Sequence, residues 1–579
     1  MMELNYTEIL KHNKELAEGM KSEHQNITLF SNIIIHQVKE ILEYTLRTEK
    51  INLKVYFGNY DNIIQDSEAY NSTNPVILFW ELCNIIEGLQ YRIELLNNKE
   101  FSDLVEKICS EIQLVFNNLK KTSLILVNKF SSLSYSSASF DRNQFDNLAS
   151  QVNQYLETHL PSNAIVVDIN KIISQVGVNE SFDYRYFNSS KSLYSISFFK
   201  RYSQFIKPIL LSIYGKAKKA IVFDCDNTLW KGILGEDGFN SIEMSPTTKS
   251  GAIFADIQAT ALSLNRQGVI ICLCSKNNIA DVEEVLQSHP DMQLRNENIT
   301  INKSNWVDKA TNIKNIADEL NIGLDSIVFI DDSEFEINLV QEQLPEVTVL
   351  RVPSRIYEYP NMLRQNMGLF FNHSSTAEDR KKIDMYKQRL MGENDKKNYS
   401  NLEDYLSSLK LELTIYENNQ DIIPRIAQLS QKTNQFNLTT KRYTESDIAN
   451  IYESNQDTVF AFAVRDKYGD NGVTGVCIVQ INDQEHTAEI DSLMMSCRII
   501  GRNIEFSFID QLISKLEVFK VRTVYANYIK TKKNEQVKDF YQKCSFIAVE
   551  SSDVMVRYSL DIGNFNPKQL NYIGVKYEY

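Results

Sequence analysis

The chain contains few of the residues that hold transition metals or disulfide frameworks. Of its 579 residues, only eight are cysteines and seven are histidines. The cysteines form no C-x-x-C pair and the histidines no H-E-x-x-H motif, so the sequence indicates neither a zinc site nor a disulfide scaffold. These absences argue against a small secreted protein and favour a reducing compartment, the cytoplasm.

Long apolar runs and excess positive charge are also missing. No uninterrupted apolar stretch reaches the length of a membrane span, and residues 1–8 lack the basic and apolar regions of a signal peptide. Acidic residues outnumber basic ones by 75 to 61, which gives a net charge of -14. A nucleic-acid binder normally carries a basic footprint, so we expect neither nucleic acid nor membrane as a partner. An acidic protein partner stays compatible with this charge if a local basic patch exists.

The length of the chain, 579 residues, predicts three or four domains rather than one core. We predict an N-terminal α/β domain over 1–215, a second domain over 216–375, a charged helical linker over 376–408 and a C-terminal domain over 409–579. Residues 379–389 of the linker are densely charged. A solvated helix face is the favoured interpretation, with docking of an acidic carrier protein as the alternative.

The N-terminal region alternates between short apolar runs and longer helical patterns. Residues 53–57 and 164–168 are candidate strands, whereas 79–96 and 106–119 have helical periodicity. This alternation predicts an α/β domain. The region contains neither a glycine-rich phosphate loop nor a G-x-S-x-G elbow. The sequence therefore predicts no chemistry here.

Two aspartates follow an apolar strand near the middle of the chain. Residues 220–223 (AIVF) lead directly into Asp224 and Asp226, with Thr228 two positions further on. Side chains at i and i+2 of an extended segment leave on the same side, so the two carboxylates can converge on one ligand while Cys225 points elsewhere. Such close like charges need a cation or a shared proton, and Mg²⁺ suits oxygen ligands. The plain alternative is a strand that ends in an Asx turn.

From residue 216 onward, short β-runs alternate with helices. The predicted strands are 220–223, 269–274, 299–301 and 326–330, and the predicted helices are 253–267, 279–287 and 306–320. This order implies a parallel sheet whose ligands lie at the carboxyl ends of the strands. Ser275 ends the second strand, Lys309 opens a helix, and Asp331 and Asp332 end the last strand. Taken singly, each could be a helix cap or a solvated residue.

The set D-x-D-x-T, then Ser, then Lys, then D-D resembles the haloacid-dehalogenase (HAD) phosphatase superfamily over residues 216–352. The resemblance implies that Asp224 attacks phosphorus and that Asp226 is the general acid and base. The short connection after Trp230 leaves no room for a large cap domain, so the site is expected to be open to a bulky substrate.

The same resemblance implies further roles for the motif residues. Mg²⁺ is expected to be held by Asp224, the carbonyl of Asp226, and the pair Asp331 and Asp332. Phosphoryl oxygens are expected to bind Thr228, Ser275 and Lys309, with Lys276 and Lys314 as less favoured cations.

Three longer stretches resemble FkbH-like proteins, which are a narrower family. They are 224–238 (DCDNTLWKGILGEDG), 305–313 (NWVDKATNI) and 329–336 (FIDDSEFE). Lys231 is a departure, because a second glycine is common there. The resemblance implies an enzyme that takes 1,3-bisphosphoglycerate, removes its phosphates and delivers a glyceryl unit to the phosphopantetheine thiol of an acyl carrier protein.

The C-terminal region has a second constellation. Residues 428–443 (QLSQKTNQFNLTTKRY) also resemble the FkbH-like family, and 472–480 and 488–496 alternate like antiparallel strands. Residues 497–503 (CRIIGRN) then lead into a helical pattern over 504–516. This order resembles the acyl-CoA pyrophosphate loop of GNAT acyltransferases, in which a helix N-terminus receives the phosphates.

The GNAT resemblance implies a pantetheine groove lined by Arg498, Gly501, Arg502 and Asn534, which accepts either CoA or the arm of a carrier protein. Asn503 stands where the pattern normally has glycine or alanine, which weakens the case for pyrophosphate binding. The expected fold class is therefore α/β multidomain: an N-terminal α/β domain, a HAD Rossmann-like parallel sheet with helices on both faces, and a GNAT-like α+β domain.

Two cysteines are candidate acyl acceptors, because a thiolate that attacks an acyl phosphate forms a thioester. Cys225 adjoins the aspartates, but their charges raise its pKa and the pleat turns it away, which favours a packing role. Cys497 follows a strand beside the expected groove and is the preferred candidate; packing is its alternative too.

Two other functions compete with this assignment. One is a HAD phosphatase fused to a CoA-dependent N-acyltransferase that acts on a sugar or another small metabolite. The other is a scaffold whose domains bind ligands without catalysis; the complete motif set argues against it.

Overall fold

The computed structural model describes residues 3–20, 22, 24–135, 143–372, 399, 401–454, 457–496, 499–531 and 534–578. The predicted linker helix 379–389 and the predicted site residues Cys497 and Arg498 lie outside them. The chain divides into two compact units, Met1–Leu211 with Tyr443–Asn450, and Ser212–Arg442 with Ile451–Tyr579. Across the described parts of the chain, no helix combines the length and the apolar character that crossing a membrane requires.

The first unit is built around a parallel five-stranded sheet with the order β2-β1-β3-β4-β5. Its strands are β1 (Gln25–Ser31), β2 (Leu53–Phe57), β3 (Val76–Phe79), β4 (Ile125–Asn128) and β5 (Ala164–Val167). The helices are α1 (Tyr6–Gly19), α2 (Val38–Arg47), α3 (Ile63–Ala69), α4 (Leu89–Arg92), α5 (Asn98–Asn118), α6 (Gln144–Thr158), α7 (Ile169–Val176), α8 (Val178–Ser181), α9 (Tyr184–Ser190) and α10 (Ile196–Ile213). Helices between parallel strands are what the alternation predicts, so the α/β class is confirmed.

One predicted helix of this unit is wrong. Residues 79–96 are not one helix, because β3 ends within them, and only short turns and α4 follow. The apolar run 76–79 (VILF) is rich in β-branched and aromatic residues, which favour a buried strand. Gly88 then takes a left-handed φ of 73°, which a continuous helix does not allow.

A buried carboxyl group lies just beyond β3. The side chain of Glu81 accepts a hydrogen bond from the Tyr194 hydroxyl at 2.8 Å. Its backbone N–H donates to Asn32 Oδ1 at 2.7 Å, and its carbonyl accepts from Asn32 Nδ2 at 2.8 Å. Burial raises the pKa of Glu81 to about 8, although the bond from Tyr194 works against the shift. The folded unit therefore holds a neutral carboxylic acid in its core.

We expect Glu81 to make this unit less stable as pH rises. In the unfolded chain the Glu81 carboxyl group has its usual pKa of 4.5, and in the folded unit its pKa is about 8. Below pH 4.5 the carboxyl group is protonated in both the folded and the unfolded state. As pH rises from 4.5 to 8, the free energy of unfolding decreases progressively, by on the order of 4 kcal/mol in all. Glu81→Gln stays neutral, so it should match the parent at pH 4.5 and exceed it at pH 8. Hydrogen exchange of β1 and β3 in the full chain measures this difference.

The matched control is Glu87→Gln, because Glu87 is exposed. Its stability should follow the parent at every pH. If Glu81→Gln and the parent lose stability in parallel, the neutral carboxyl assignment is wrong.

The second unit contains two sheets, of which the first is parallel with the order β10-β9-β6-β7-β8. Its strands are β6 (Ala220–Phe223), β7 (Ile270–Ser275), β8 (Ile299–Ser304), β9 (Ile327–Asp331) and β10 (Thr348–Arg351). The helices are α11 (Leu234–Asp237), α12 (Gly251–Arg266), α13 (Ile279–Ser288), α14 (Lys309–Leu320), α15 (Glu334–Gln343) and α16 (Tyr359–Asn366). Buried apolar residues form one cluster on each face of the sheet, which confirms the predicted Rossmann-like arrangement. Residues 224–250 hold only the short α11, so no cap domain stands on this connection.

The other sheet of this unit is mixed and has eight strands, in the order β16-β17-β15-β14-β13-β12-β11-β18. The strands are β11 (Leu411–Glu417), β12 (Asp457–Asp466), β13 (Gly469–Asn482), β14 (Thr487–Met495), β15 (Thr523–Ile529), β16 (Ile547–Ser551), β17 (Met555–Asp561) and β18 (Ile573–Glu578). The helices are α17 (Leu402–Ser408), α18 (Ile423–Lys432), α20 (Ile504–Val518) and α21 (Phe540–Lys543), whereas α19 (Glu445–Glu453) belongs for most of its length to the first unit. Only the pairs β14–β15 and β11–β18 are parallel, which agrees with the predicted α+β class.

Candidate active site

The order of the parallel sheet in the second unit explains where its polar residues meet. The chain leaves β6 toward β7 on one side and returns to β9 on the other, so β6 and β9 flank a topological switch point. Asp224 follows β6, and its N–H donates to Ile330 of β9 at 2.9 Å. Asp331 ends β9 and Ser275 ends β7. Ligand sites of such sheets lie at this edge, and the structure brings the predicted residues together there.

Three carboxylates form the centre of this edge. Asp224, Asp331 and Asp332 each offer an oxygen, and these atoms lie within 4.8 Å of one another. Burial, and then the charge of Asp224, raise the pKa of Asp331 to about 7. The same two causes raise the pKa of Asp332. Carboxylates that disfavour one another's charge in a buried place fit a hard divalent cation.

Lys309 is the cation beside these acids. Its Nζ lies 2.9 Å from Asp224 Oδ1 and 2.6 Å from Asp331 Oδ2. Burial lowers the pKa of Lys309, but the two aspartates outweigh it and hold the value above the usual range. Lys276 instead pairs with Glu336 at 2.9 Å, and Lys314 is exposed on α14. Among the three candidate lysines, Lys309 therefore has the position that the predicted role requires.

Two hydroxyl groups complete the predicted phosphate contacts. Thr228 is fully buried, and its Oγ1 has no hydrogen-bond partner among the described residues. Ser275 is also buried, and its Oγ accepts from Asn277 Nδ2 at 3.1 Å. A buried hydroxyl without a partner is uncommon in a folded protein, and a phosphoryl oxygen beside Thr228 would supply one.

Asp226 is held apart from the three-carboxylate cluster. Its Oδ1 accepts from Trp230 Nε1 and from the N–H of Leu234, each at 3.0 Å. Its Oδ2 accepts from Asn277 Nδ2 at 2.8 Å. The side chain of Asp226 is thus fixed by three donors, which suits a group that must be positioned for proton transfer rather than for metal binding.

Asn277 is a site residue that the sequence did not single out. Its amide contacts both Asp226 and Ser275, so it links the proposed acid and base to the phosphate contacts. The available signal was its place two positions after Ser275, just beyond the carboxyl end of β7. No motif rule attaches a role to that position, and only the fold brings it to Asp226.

Cys225 lies in the core, as the pleat geometry predicted. It is fully buried and belongs to the same apolar cluster as Phe223 and Trp230. Burial, and then the charge of Asp224, raise the pKa of its thiol well above the usual value. A thiol in that state is a poor source of thiolate, which favours the packing role.

Two of the predicted pantetheine residues, Arg502 and Asn534, have other partners within the protein. Arg502 is ion-paired with the buried Asp466, and Gly501 is in a left-handed turn with φ 87°. Asn534 is fully buried, and its Nδ2 donates to the carbonyls of Asn437 and Ile529, both at 2.9 Å. Its Oδ1 accepts from the backbone N–H of Thr531. The amide of Asn534 is therefore already used within the protein.

The N-terminus of α20 has features that disfavour the binding of a pyrophosphate. Asn503 precedes the helix with a left-handed φ of 61°. Glu505, in the first turn, is half-buried, and the burial of its carboxyl group raises its pKa to about 7. Its Oε2 has no hydrogen-bond partner among the described residues. When ionised, a carboxylate at this end of a helix competes with a bound anion for the helix dipole.

Comparison with known proteins gives matches among solved structures only. No protein-family model and no curated protein matches the chain. The N-terminal part of the protein BF1531 from Bacteroides fragilis, containing a phosphatase domain complexed with Mg, is 23% identical. That match has a TM-score of 0.56 and covers 64% of this chain and 100% of the other.

Two acetyltransferase structures match with TM-scores of 0.21 and 0.22, each over 26% of this chain. One is the ribosomal-protein-S18-alanine N-acetyltransferase from Escherichia coli, 14% identical and covered to 94%. The other is spermidine N-acetyltransferase from Vibrio cholerae in complex with CoA and spermine, 15% identical and covered to 96%. Of these three likenesses, the one to BF1531 shows a shared fold, over 64% of this chain.

Proposed function

We propose that the protein is an Mg²⁺-dependent phosphohydrolase of the HAD type coupled to an acyltransferase. The observation that supports it best is the cluster of Asp224, Asp331 and Asp332, whose oxygens lie within 4.8 Å of one another, with the buried Lys309 against two of them. The fold shared with the BF1531 fragment, described as complexed with Mg, is consistent with it.

The first step is an in-line attack by a carboxylate oxygen of Asp224 on phosphorus. The bond from phosphorus to the leaving oxygen breaks, and Asp226 donates a proton to that oxygen. Lys309 and the hydroxyls of Thr228 and Ser275 contact the phosphoryl oxygens. Mg²⁺, held by the three clustered aspartates and the carbonyl of Asp226, supplies positive charge for the transferring group when it is bound.

The second step hydrolyses the aspartyl-phosphate. Asp226, now ionised, takes a proton from water, and the resulting hydroxide attacks phosphorus and releases phosphate from Asp224. Trp230 and Asn277 keep Asp226 in place for both transfers. One residue can therefore act first as acid and then as base.

We further propose that the substrate is 1,3-bisphosphoglycerate and that the acyl unit passes through Cys497. The thiolate attacks the carbonyl of the acyl phosphate, the phosphate of C1 leaves, and a thioester forms. The phosphatase site hydrolyses the phosphoester at C3. A phosphopantetheine thiol of an acyl carrier protein then attacks the thioester and receives the glyceryl unit, which regenerates the thiolate.

The thiol pKa values of the other cysteines support the assignment of Cys497 as the acyl acceptor. Burial raises the thiol pKa at each of the seven described cysteines: Cys83, Cys109, Cys225, Cys272, Cys274, Cys477 and Cys544. None of these thiols has the lowered pKa of a nucleophilic cysteine. Cys497 is the remaining cysteine of the chain.

The surroundings of α20 favour a carrier protein over free CoA. Arg502 pairs with Asp466, and Glu505 brings a buried carboxyl group to the first turn of the helix. The pyrophosphate of CoA would meet this acidic helix end, whereas the arm of a carrier protein has a single phosphodiester and no pyrophosphate. The arm is therefore the better fit.

Phosphate release by the full chain tests the proposal. With Mg²⁺ we expect turnover of p-nitrophenyl phosphate and of 1,3-bisphosphoglycerate, because the clustered aspartates need a cation to bind a charged phosphoryl group. EDTA should abolish it, and added Mg²⁺ should restore it. Equal turnover with EDTA, or no turnover of either substrate with Mg²⁺, would contradict the phosphohydrolase assignment.

A further inference from the structure

The opening between β14 and β15 contains a segment of the chain itself. The two strands pair only over 487–490 and 523–526, although β14 continues to Met495 and β15 to Ile529. In the gap beyond, the N–H of Met495 donates to Phe436 at 2.9 Å, and the N–H of Leu438 donates to Leu493 at 3.1 Å. The carbonyl of Leu438 accepts from Ile529 at 2.8 Å. Leu438 thus bonds to both strands as an added strand does.

Residues 436–440, which we call the inserted segment, fill this opening, and the side chains of 436–439 are buried. Asn437 and Leu438 are fully buried, and Phe436 and Leu438 belong to the apolar core of the domain. Thr439 Oγ1 lies 2.8 Å from Ser492 Oγ of β14. While the segment is seated, the edges of both strands are covered and no other extended chain can bind them.

The opening would recognise a particular kind of ligand if the inserted segment left it. Two N–H donors, of Met495 and Ile529, and one carbonyl acceptor, of Leu493, would face an extended chain. Strand addition of this type binds amide groups through the main chain. A phosphopantetheine arm is narrow, extended and contains two amides, and it is the ligand that the proposed function requires in this domain.

Two features suit the inserted segment to movement. Thr440 has a left-handed φ of 56°, which is strained for a β-branched residue and is typical of switch regions. Arg442 Nη1 donates to the carbonyls of Gln431 at 2.6 Å and Thr433 at 3.1 Å. These bonds connect Arg442, which follows the loop 434–441, to Gln431 and Thr433, which precede it. Because the two ends of the loop are held together, the loop can leave the opening while α18 stays folded.

We propose that the inserted segment is a removable strand that closes the arm-binding cleft and is displaced when a pantetheine arm enters. The proposal rests on the proposed function for the nature of the ligand. Entry of the arm replaces the backbone bonds of Phe436 and Leu438 with those of its own amides, and it also breaks the bond from Asn534 Nδ2 to the carbonyl of Asn437. The segment therefore keeps the cleft closed until a carrier protein presents its arm.

A reversible disulfide crosslink between the inserted segment and β14, which we call the lock, tests the displacement. Thr439→Cys with Ser492→Cys places two thiols where hydroxyls are now 2.8 Å apart, and the probe is S-methyl pantetheine, which cannot reduce a disulfide. The reduced full-length variant should bind the probe, with faster hydrogen exchange over 435–441. The oxidised variant, verified by mass, should lose binding at least tenfold. Equal binding in both states, no binding in either, or unchanged exchange over 435–441 would overturn the proposal.

A second variant needs no new covalent bond. Thr440→Asn puts a residue that tolerates a left-handed φ at the strained position, so it stabilises the seated segment and should weaken probe binding about fivefold. Lys410→Asn is the matched control, because Lys410 also has a left-handed φ, 52°, and is exposed. It should leave binding unchanged; equal effects of the two variants would also overturn the proposal.

Hydrolysis of p-nitrophenyl phosphate by the same samples separates this proposal from the proposed function. If hydrolysis persists and the lock has no effect on the probe, only the removable strand is wrong. If the parent chain shows no Mg²⁺-dependent hydrolysis, the proposed function fails whatever the lock does.

Discussion

Asp224→Asn should reduce Mg²⁺-dependent phosphate release by on the order of 10⁴-fold or more, because the amide can neither form the aspartyl-phosphate nor serve as an anionic metal ligand. The replacement has nearly the same shape, and Lys309 keeps its 2.6 Å contact with Asp331. We therefore expect the variant to fold. Single-turnover phosphate release, with thermal unfolding of the same sample, measures both effects.

The control for this prediction is Asp256→Asn. Asp256 lies in α12 and pairs with Arg364 on the surface, where one ion pair contributes about 1 kcal/mol or less. Its activity should equal that of the parent. If Asp224→Asn retains more than a tenth of the parent activity with unchanged Mg²⁺ dependence, Asp224 is not the nucleophile.

The sequence could predict that these candidate residues meet, because their placement follows a simple geometric rule. Carboxyl ends of parallel strands meet at one edge, so Asp224 after β6, Ser275 at the end of β7 and Asp331 at the end of β9 had to come close once the strands were recognised. Lys309 opens α14 and reaches the same edge. For such residues, order along the chain is nearly equivalent to position in space.

Other features depend on contacts that no local pattern records. Asn277 has its role because its amide reaches Asp226, 51 positions away. The inserted segment lies between β14 and β15, although Leu438 and its partner Ile529 in β15 are 91 positions apart along the chain (529 − 438). In the first unit, the helix predicted over 79–96 does not form as one element, because Phe79 ends β3 and Gly88 has a left-handed φ of 73°, and a short apolar run has no amphipathic period that separates strand from helix.

The largest expected effect on acyl transfer is that of Cys497→Ala. Without the thiol no enzyme thioester can form, so the glyceryl adduct and the loading of an acyl carrier protein should fall below detection. Phosphate release from p-nitrophenyl phosphate should continue, because Asp224, Asp226 and Lys309 are unchanged. Intact-mass spectrometry of the enzyme and of a carrier protein, after incubation with 1,3-bisphosphoglycerate and Mg²⁺, measures both species.

Cys225→Ala is the matched control for Cys497→Ala, because its thiol lies beside the phosphatase aspartates. That thiol is fully buried and has a raised pKa, so its loss should cost about 1 kcal/mol of stability through packing and leave the adduct intact. An adduct that persists in Cys497→Ala and disappears in Cys225→Ala would move the acyl group to the phosphatase site. In that case the thioester would form beside the carboxylates, and the arm would have to reach the edge of the parallel sheet.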